Sequence, residues 1–163
     1  MRLYIDEISD WKQFEDLVDA YFRKEEGFLK KNIVGIEVNK SGTGPDEGHD
    51  LILDILVTDG VMKFHRKWIV QCKFYGKNIA PSDLNENNIP SLIHSYGAVG
   101  YLLICKRYPT AKLTSLFTRL NKECKFSYKY EIWSGEQFCL KIQTQDNEAI
   151  LKRYFPKYFA HRF

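Results

Sequence analysis

From Trp11 to Phe22 the apolar side chains Trp11, Phe14, Leu17, Val18, Tyr21 and Phe22 recur at three and four residues. That is the helical period, and it predicts an amphipathic helix over residues 10–26. Ser9 or Asp10 can cap its start and Gly27 can end it. The period then changes to two. Val34, Ile36 and Val38 alternate with polar positions, which predicts a strand over residues 33–40. A Gly/Pro loop follows over 41–48. Two further strands, 50–57 and 61–73, flank the turn Thr58-Asp59-Gly60, and an Asp-Gly pair favours a hairpin. Residues 51–57 are apolar on both faces apart from Asp54, the pattern of a strand covered on both sides.

Pro81-Ser82-Asp83 opens a helical stretch reaching about Tyr96, with Pro90 bending or splitting it. A strand over 99–105, an amphipathic helix over 110–123 and a strand over 128–133 come next. Ser134-Gly135-Glu136 then opens a short helix, and a closing helix over 147–160 is broken by Pro156. A strand, a helix and another strand imply a right-handed crossover and parallel pairing. The order α-β-β-β-α-β-α-β therefore predicts an α/β fold. Its mixed five-stranded sheet is flanked by helices, with three antiparallel strands first and two later ones beside them.

The chain has 163 residues, 44% of them hydrophobic and 28% charged, which suits one globular domain with a full core. No stretch approaches the roughly 18 apolar residues of a membrane span. The N-terminus carries no apolar signal segment. The four cysteines, 72, 105, 124 and 139, form no C-x-x-C pair, which argues against a zinc site. Cys72 and Cys105 fall in apolar runs and read as buried small hydrophobes. A reducing, cytoplasmic setting fits these thiols. Net charge is +3 but uneven: residues 1–60 hold 7 Lys+Arg against 14 Asp+Glu, and residues 61–163 hold 17 against 7. A basic second half facing phosphates and an acidic first half supplying metal ligands is one reading; a mixed, solvated surface is the other.

The chemistry concentrates between residues 44 and 73. Gly44-Pro45-Asp46-Glu47-Gly48-His49-Asp50 puts a carboxylate at the mouth of an apolar strand, and Gln71-Cys72-Lys73 ends its hairpin partner. Side chains alternate along a strand, so Gln71 and Lys73 share a face that the hairpin can bring beside Asp50. Magnesium takes hard oxygen ligands and keeps several waters. Asp50 can give a carboxylate oxygen, and Gln71 an amide oxygen, or the Cys72 carbonyl can serve. Lys73 is a compact cation that can face a phosphate. Gln71 is neutral, so a second carboxylate is needed from elsewhere, and Glu15, beside apolar positions of the first helix, is the best candidate. Other residues keep two readings. Asp54, in an apolar run, needs a partner, either at a surface edge or beside the metal. His49 can orient phosphate or be incidental. Lys77 can meet a DNA backbone or be an ordinary surface lysine. Phe155, Tyr158, Phe159 and Phe163, interleaved with Lys152, Arg153, Lys157 and Arg162, can stack on bases or form a packing face.

Phe14-Glu15-x-Leu-Val, then Gly-x-Asp-x-Gly-x-Asp-Leu, then Val-Gln-x-Lys, resembles the Mrr-type restriction-endonuclease domain of the PD-(D/E)xK nuclease superfamily. The Gly97-x-x-Gly-Tyr-Leu-Leu-Ile strand and the last strand running into Ser-Gly-Glu are similar too. The resemblance spans about residues 8–142 of a single domain over 1–163, with 143–163 as a helical extension. It implies cleavage of DNA phosphodiesters with Mg²⁺, Mn²⁺ being a substitute. By the same resemblance Asp50 is the metal-binding aspartate and Gln71 stands where Glu is usual. Lys73 is then the catalytic lysine and Glu15 the extra acid. Pro45-Asp46 precedes the strand and is not the family position. Glu47 departs from the glycine of many relatives and adds negative charge. The implied partner is DNA, with no membrane, and with a homodimer or a place in a larger protein both compatible. Defence against foreign DNA, or DNA processing, is the implied role. A structure-selective repair or junction nuclease, and an idle nuclease fold that only binds DNA or protein, are the alternatives.

Overall fold

The computed structural model describes residues 1–23, 32–40, 50–84, 88–145 and 147–162. Helix α1 (Trp11–Arg23) starts where the Asp10 carboxylate accepts the Gln13 N–H at 2.8 Å and the Gln13 amide oxygen accepts the Ser9 N–H at 2.7 Å. These bonds occupy donors that a helix start leaves free. Phe14, Leu17, Val18, Tyr21 and Phe22 form its buried face. Trp11, expected on that face, is 60% exposed. As the first helical residue it lies where the periodic stripe has run past the packed layer. The expected end of this helix, the 41–48 loop with Pro45, Asp46 and Glu47, and also His49 and Phe163, lie outside the described residues.

Strands β1 (Ile33–Lys40), β2 (Leu51–Thr58) and β3 (Lys63–Lys73) pair antiparallel. Strands β4 (Gly100–Cys105) and β5 (Lys129–Trp133) continue the sheet in parallel, giving the order β1-β2-β3-β4-β5. This is the expected mixed five-stranded sheet. The β2–β3 connection differs from the expectation. Val61 and Met62 are not strand residues but part of a longer loop, with Val61 92% exposed. One Asp59 carboxylate oxygen accepts both their N–H groups at 2.9 Å, and Gly60 has φ 92°, a conformation open to glycine.

The chain leaves β3 through a 3-10 turn (Pro81–Leu84) and helix α2 (Ile89–Ser95) before β4. Pro90 does not bend α2. It sits in the first turn, where its missing N–H costs nothing, and Asn88 caps the Ser91 N–H at 3.1 Å. Helix α3 (Ala111–Glu123), capped by Thr110, connects β4 to β5. Helix α4 (Gly135–Gln145) opens with a reciprocal pair between Ser134 and Gln137. Asn147 caps α5 (Glu148–Tyr154), and Pro156 begins α6 (Pro156–Arg162). Six helices are thus present among the described residues. None is long and apolar enough to cross a membrane.

Strand alternation divides the core into two layers. Leu51, Leu53, Val70, Leu102 and Ile104 face α1, α4, α5 and α6, including Phe14, Phe138, Leu151, Phe155 and Tyr158. Ile69, Tyr101, Leu103 and Cys105 face α2 and α3 through Ile93, Leu113 and Phe117. Phe155 and Tyr158 are buried in the first layer, so the packing-face reading of these two C-terminal aromatics holds. Gly135 lets α4 begin against the end of β4, since a Cβ there would stand 2.0 Å from the Lys106 carbonyl oxygen.

Candidate active site

The β2–β3 ladder ends at Leu51↔Val70, one residue after Asp50 and one before Gln71. Beyond it the Cys72 N–H has lost its β2 backbone partner, and the Asp50 carboxylate takes that place at 2.6 Å. Asp50 therefore holds its carboxylate in line with the sheet, at its end, between the two helical layers. That position explains its neighbours. Glu15 approaches from α1, on the Val70 side of the sheet, and its carboxyl shares a hydrogen bond with Asp50. Gln71 and Lys73 lie on the other face, in register with Leu103 and Cys105.

The electrostatics follow from this packing. Burial first, then the Asp50 charge and the shared hydrogen bond, push the Glu15 carboxyl up to about 7. Lys40, 2.5 Å from Asp16, acts in the opposite direction on Glu15. Burial, followed by Asp50 and Glu15, raises the Cys72 thiol well above its usual range. Burial and Asp50 also raise the Tyr101 phenol. Cys72 is partly buried, whereas Cys105 is fully buried in the other layer of the core.

Gln71 and Lys73 are both buried despite their polarity. The Gln71 amide oxygen accepts a hydrogen bond from the Tyr101 hydroxyl on β4. The Lys73 ammonium lies 5.5 Å from the centre of the Tyr75 ring, and its charge is felt at Asp83 and Cys105. Asp50, Glu15, Cys72 and Gln71 with Tyr101 thus gather at one sheet end, with Lys73 two residues further along β3. Among the described residues no three His, Cys, Asp or Glu side chains gather as a metal cluster. A divalent ion here would rest on two carboxylates plus neutral oxygens, a set that suits magnesium with its retained waters. Two carboxyl groups in hydrogen-bond contact require a shared proton or a cation, so these residues fit such an ion.

Other candidates fall elsewhere. Asp54 pairs with His65 at 2.9 Å, four residues along β2 from Asp50, which is the partner its burial demanded. Lys77 bonds Asp83 at 3.0 Å with its side chain 68% exposed. Tyr101 was legible only as a strand residue. The available signal was its phenol in an otherwise apolar, doubly covered strand, since a buried hydroxyl requires a partner. Lys40 and its bond to Asp16 carried no local signal.

This arrangement defines a restriction-endonuclease-like fold, and the comparisons agree. The chain belongs to the Mrr_cat restriction endonuclease family, whose pattern it matches over residues 5–139. Its fold is similar to that of the DNA modification-dependent restriction endonuclease AspBHI. The TM-score is 0.52 and the identity 10%, over 99% of this chain and 43% of that one. The MspJI restriction endonuclease, solved in complex with a 27-mer oligonucleotide, matches with TM-score 0.49 and 11% identity, over 94% of this chain and 39% of that one. The chain spans about two fifths of the length of each. No curated protein matches its sequence.

Proposed function

We propose that this chain is a metal-dependent endonuclease domain that hydrolyses DNA phosphodiester bonds, in restriction-like defence against foreign DNA. The hydrogen-bonded Asp50–Glu15 carboxylate pair, at the sheet end that also bears Gln71 and Lys73, carries the reading. Asp50 and Glu15 would hold the ion, with the second lone pair of the Gln71 oxygen and the Cys72 carbonyl as neutral ligands. Magnesium, or manganese in its place, supplies Lewis acidity at the phosphate. Lys73 places a fixed positive charge where phosphate charge builds in the transition state. Its burial keeps water from screening that charge. The Cys72 N–H donates to one Asp50 oxygen and so fixes the orientation of the carboxylate at the end of the sheet. A plasmid-nicking assay with Mg²⁺, Mn²⁺ or EDTA tests this. Nicking with either ion and none in EDTA is expected; an inert chain with both ions refutes it.

A further inference from the structure

The hydrogen bond between Tyr101 and Gln71 joins two buried polar groups on neighbouring strands. Parallel pairing sets Ile69 opposite Tyr101 and Gln71 opposite Leu103, so the phenol reaches diagonally along one face to the amide. The Tyr101 ring is 1% exposed and meets Phe117 edge-on at 6.0 Å, so packing leaves its hydroxyl no other course. Position 71 bears an amide, and the two ends of an amide differ. One accepts and the other donates, and the terminal torsion that exchanges them is soft. A carboxylate has no such ambiguity, because both its ends are oxygens.

We propose that Tyr101 is a positioning residue of this site: its hydroxyl holds the Gln71 amide in one orientation, a constraint that the amide at position 71 makes necessary. The inference rests on the nuclease reading. It predicts that the need for Tyr101 disappears when position 71 becomes symmetric.

The test measures Tyr101→Phe in two backgrounds, wild type and Gln71→Glu. The readouts are plasmid nicking with Mg²⁺, Mn²⁺ affinity of the metal-free protein by calorimetry, and thermal unfolding to register any loss of fold. Partners that orient metal ligands typically matter by about 10–100-fold. In the wild-type background, Tyr101→Phe should lower nicking by at least about tenfold and weaken Mn²⁺ binding. In the Gln71→Glu background both losses should shrink to a small fraction of that. Equal losses in the two backgrounds overturn the proposal, because they mark a general packing role. Unchanged nicking and Mn²⁺ affinity in the wild-type background also overturn it, while leaving the nuclease reading intact. A wild-type chain that neither nicks DNA nor binds Mn²⁺ overturns both. Should Gln71→Glu not cleave, the Mn²⁺ affinities of the four proteins still decide.

Discussion

Glu15 and Asp50 set an opposition between stability and function at the level of single side chains. The Glu15 carboxyl titrates near 7 in the folded chain and near 4.5 when unfolded. Between those values the folded state binds the extra proton, so stability falls as pH rises through this window. Metal-free protein should therefore lose melting temperature from pH 5 to pH 8 more steeply than Glu15→Gln, which carries no titrating group there. In the proposed site a divalent ion would take over the proton's task, so Mn²⁺ should raise the melting temperature more at pH 8 than at pH 5. Thermal scans in EDTA and in Mn²⁺ read both effects, and parallel pH profiles for wild type and Glu15→Gln would contradict the coupling. Asp50→Asn should weaken Mn²⁺ binding in calorimetry, because a neutral amide would replace the proposed charged ligand, whose orientation the Cys72 N–H sets. Unchanged affinity would remove the metal site. Lys73→Ala should lower nicking by about a hundredfold or more while leaving DNA binding largely intact, if the lysine acts on transition-state charge as proposed. Equal nicking rates would show that Lys73 has no such role.

At the level of elements, the end of β3 and the start of α4 are tied together through β4. The Lys106 N–H donates to the Lys73 carbonyl at 2.9 Å, and the Lys106 carbonyl lies against Gly135. Gly135→Ala would set a methyl 2.0 Å from that oxygen and 3.3 Å from the Cys105 carbonyl oxygen. Both neighbours are backbone, so neither can turn aside. A loss of at least about 1–3 kcal/mol in urea unfolding is expected, as for other overpacked sites. Nicking should fall with it, because the strain is relayed to Lys73. Wild-type stability in Gly135→Ala would show that α4 can shift freely. Most elements here were legible from periodicity, because each buries one face and its pattern records that face. The exceptions share a cause. Val61 and Met62 are apolar yet stand in a loop, because Asp59 captures their N–H groups before a ladder can. Pro90 marks a split of the helical stretch, as expected, but the Asn88 cap decides that it falls at the start of α2 rather than within a bent helix. Both outcomes depend on a side chain's bond to backbone, which hydrophobic patterning does not register.

For the whole molecule, the family was legible because the residues that carry the resemblance lie in short segments around Glu15, Asp50 and Gln71-x-Lys73, inside the matched span 5–139. The mixed five-stranded sheet followed from the hairpin and the crossovers, while its order β1-β2-β3-β4-β5 is a finding of the structure. What stayed illegible was long-range. The Tyr101 bond to Gln71 spans thirty residues, and the in-line seat of Asp50 depends on where the ladder stops. The C-terminal helices show the same limit, since residues 143–163 read as an extension while α5 and α6 pack into the α1 layer. Ile150, Leu151, Tyr154, Phe155 and Tyr158 are all buried there with Phe14, Leu17 and Val18. Glu7 accepts the Lys157 and Tyr158 N–H groups at 2.8 and 3.1 Å, binding the two chain ends together. At about 1.5–3 kcal/mol for each large buried side chain, these five contribute roughly 7–15 kcal/mol as an upper estimate. That matches the whole stability of a typical domain, about 5–15 kcal/mol. A chain ending at Gln145 should therefore show no cooperative thermal transition and no nicking, since α1 would lose the packing that carries Glu15 to Asp50. A cooperative transition near the full-length melting temperature would make α5 and α6 a true appendage.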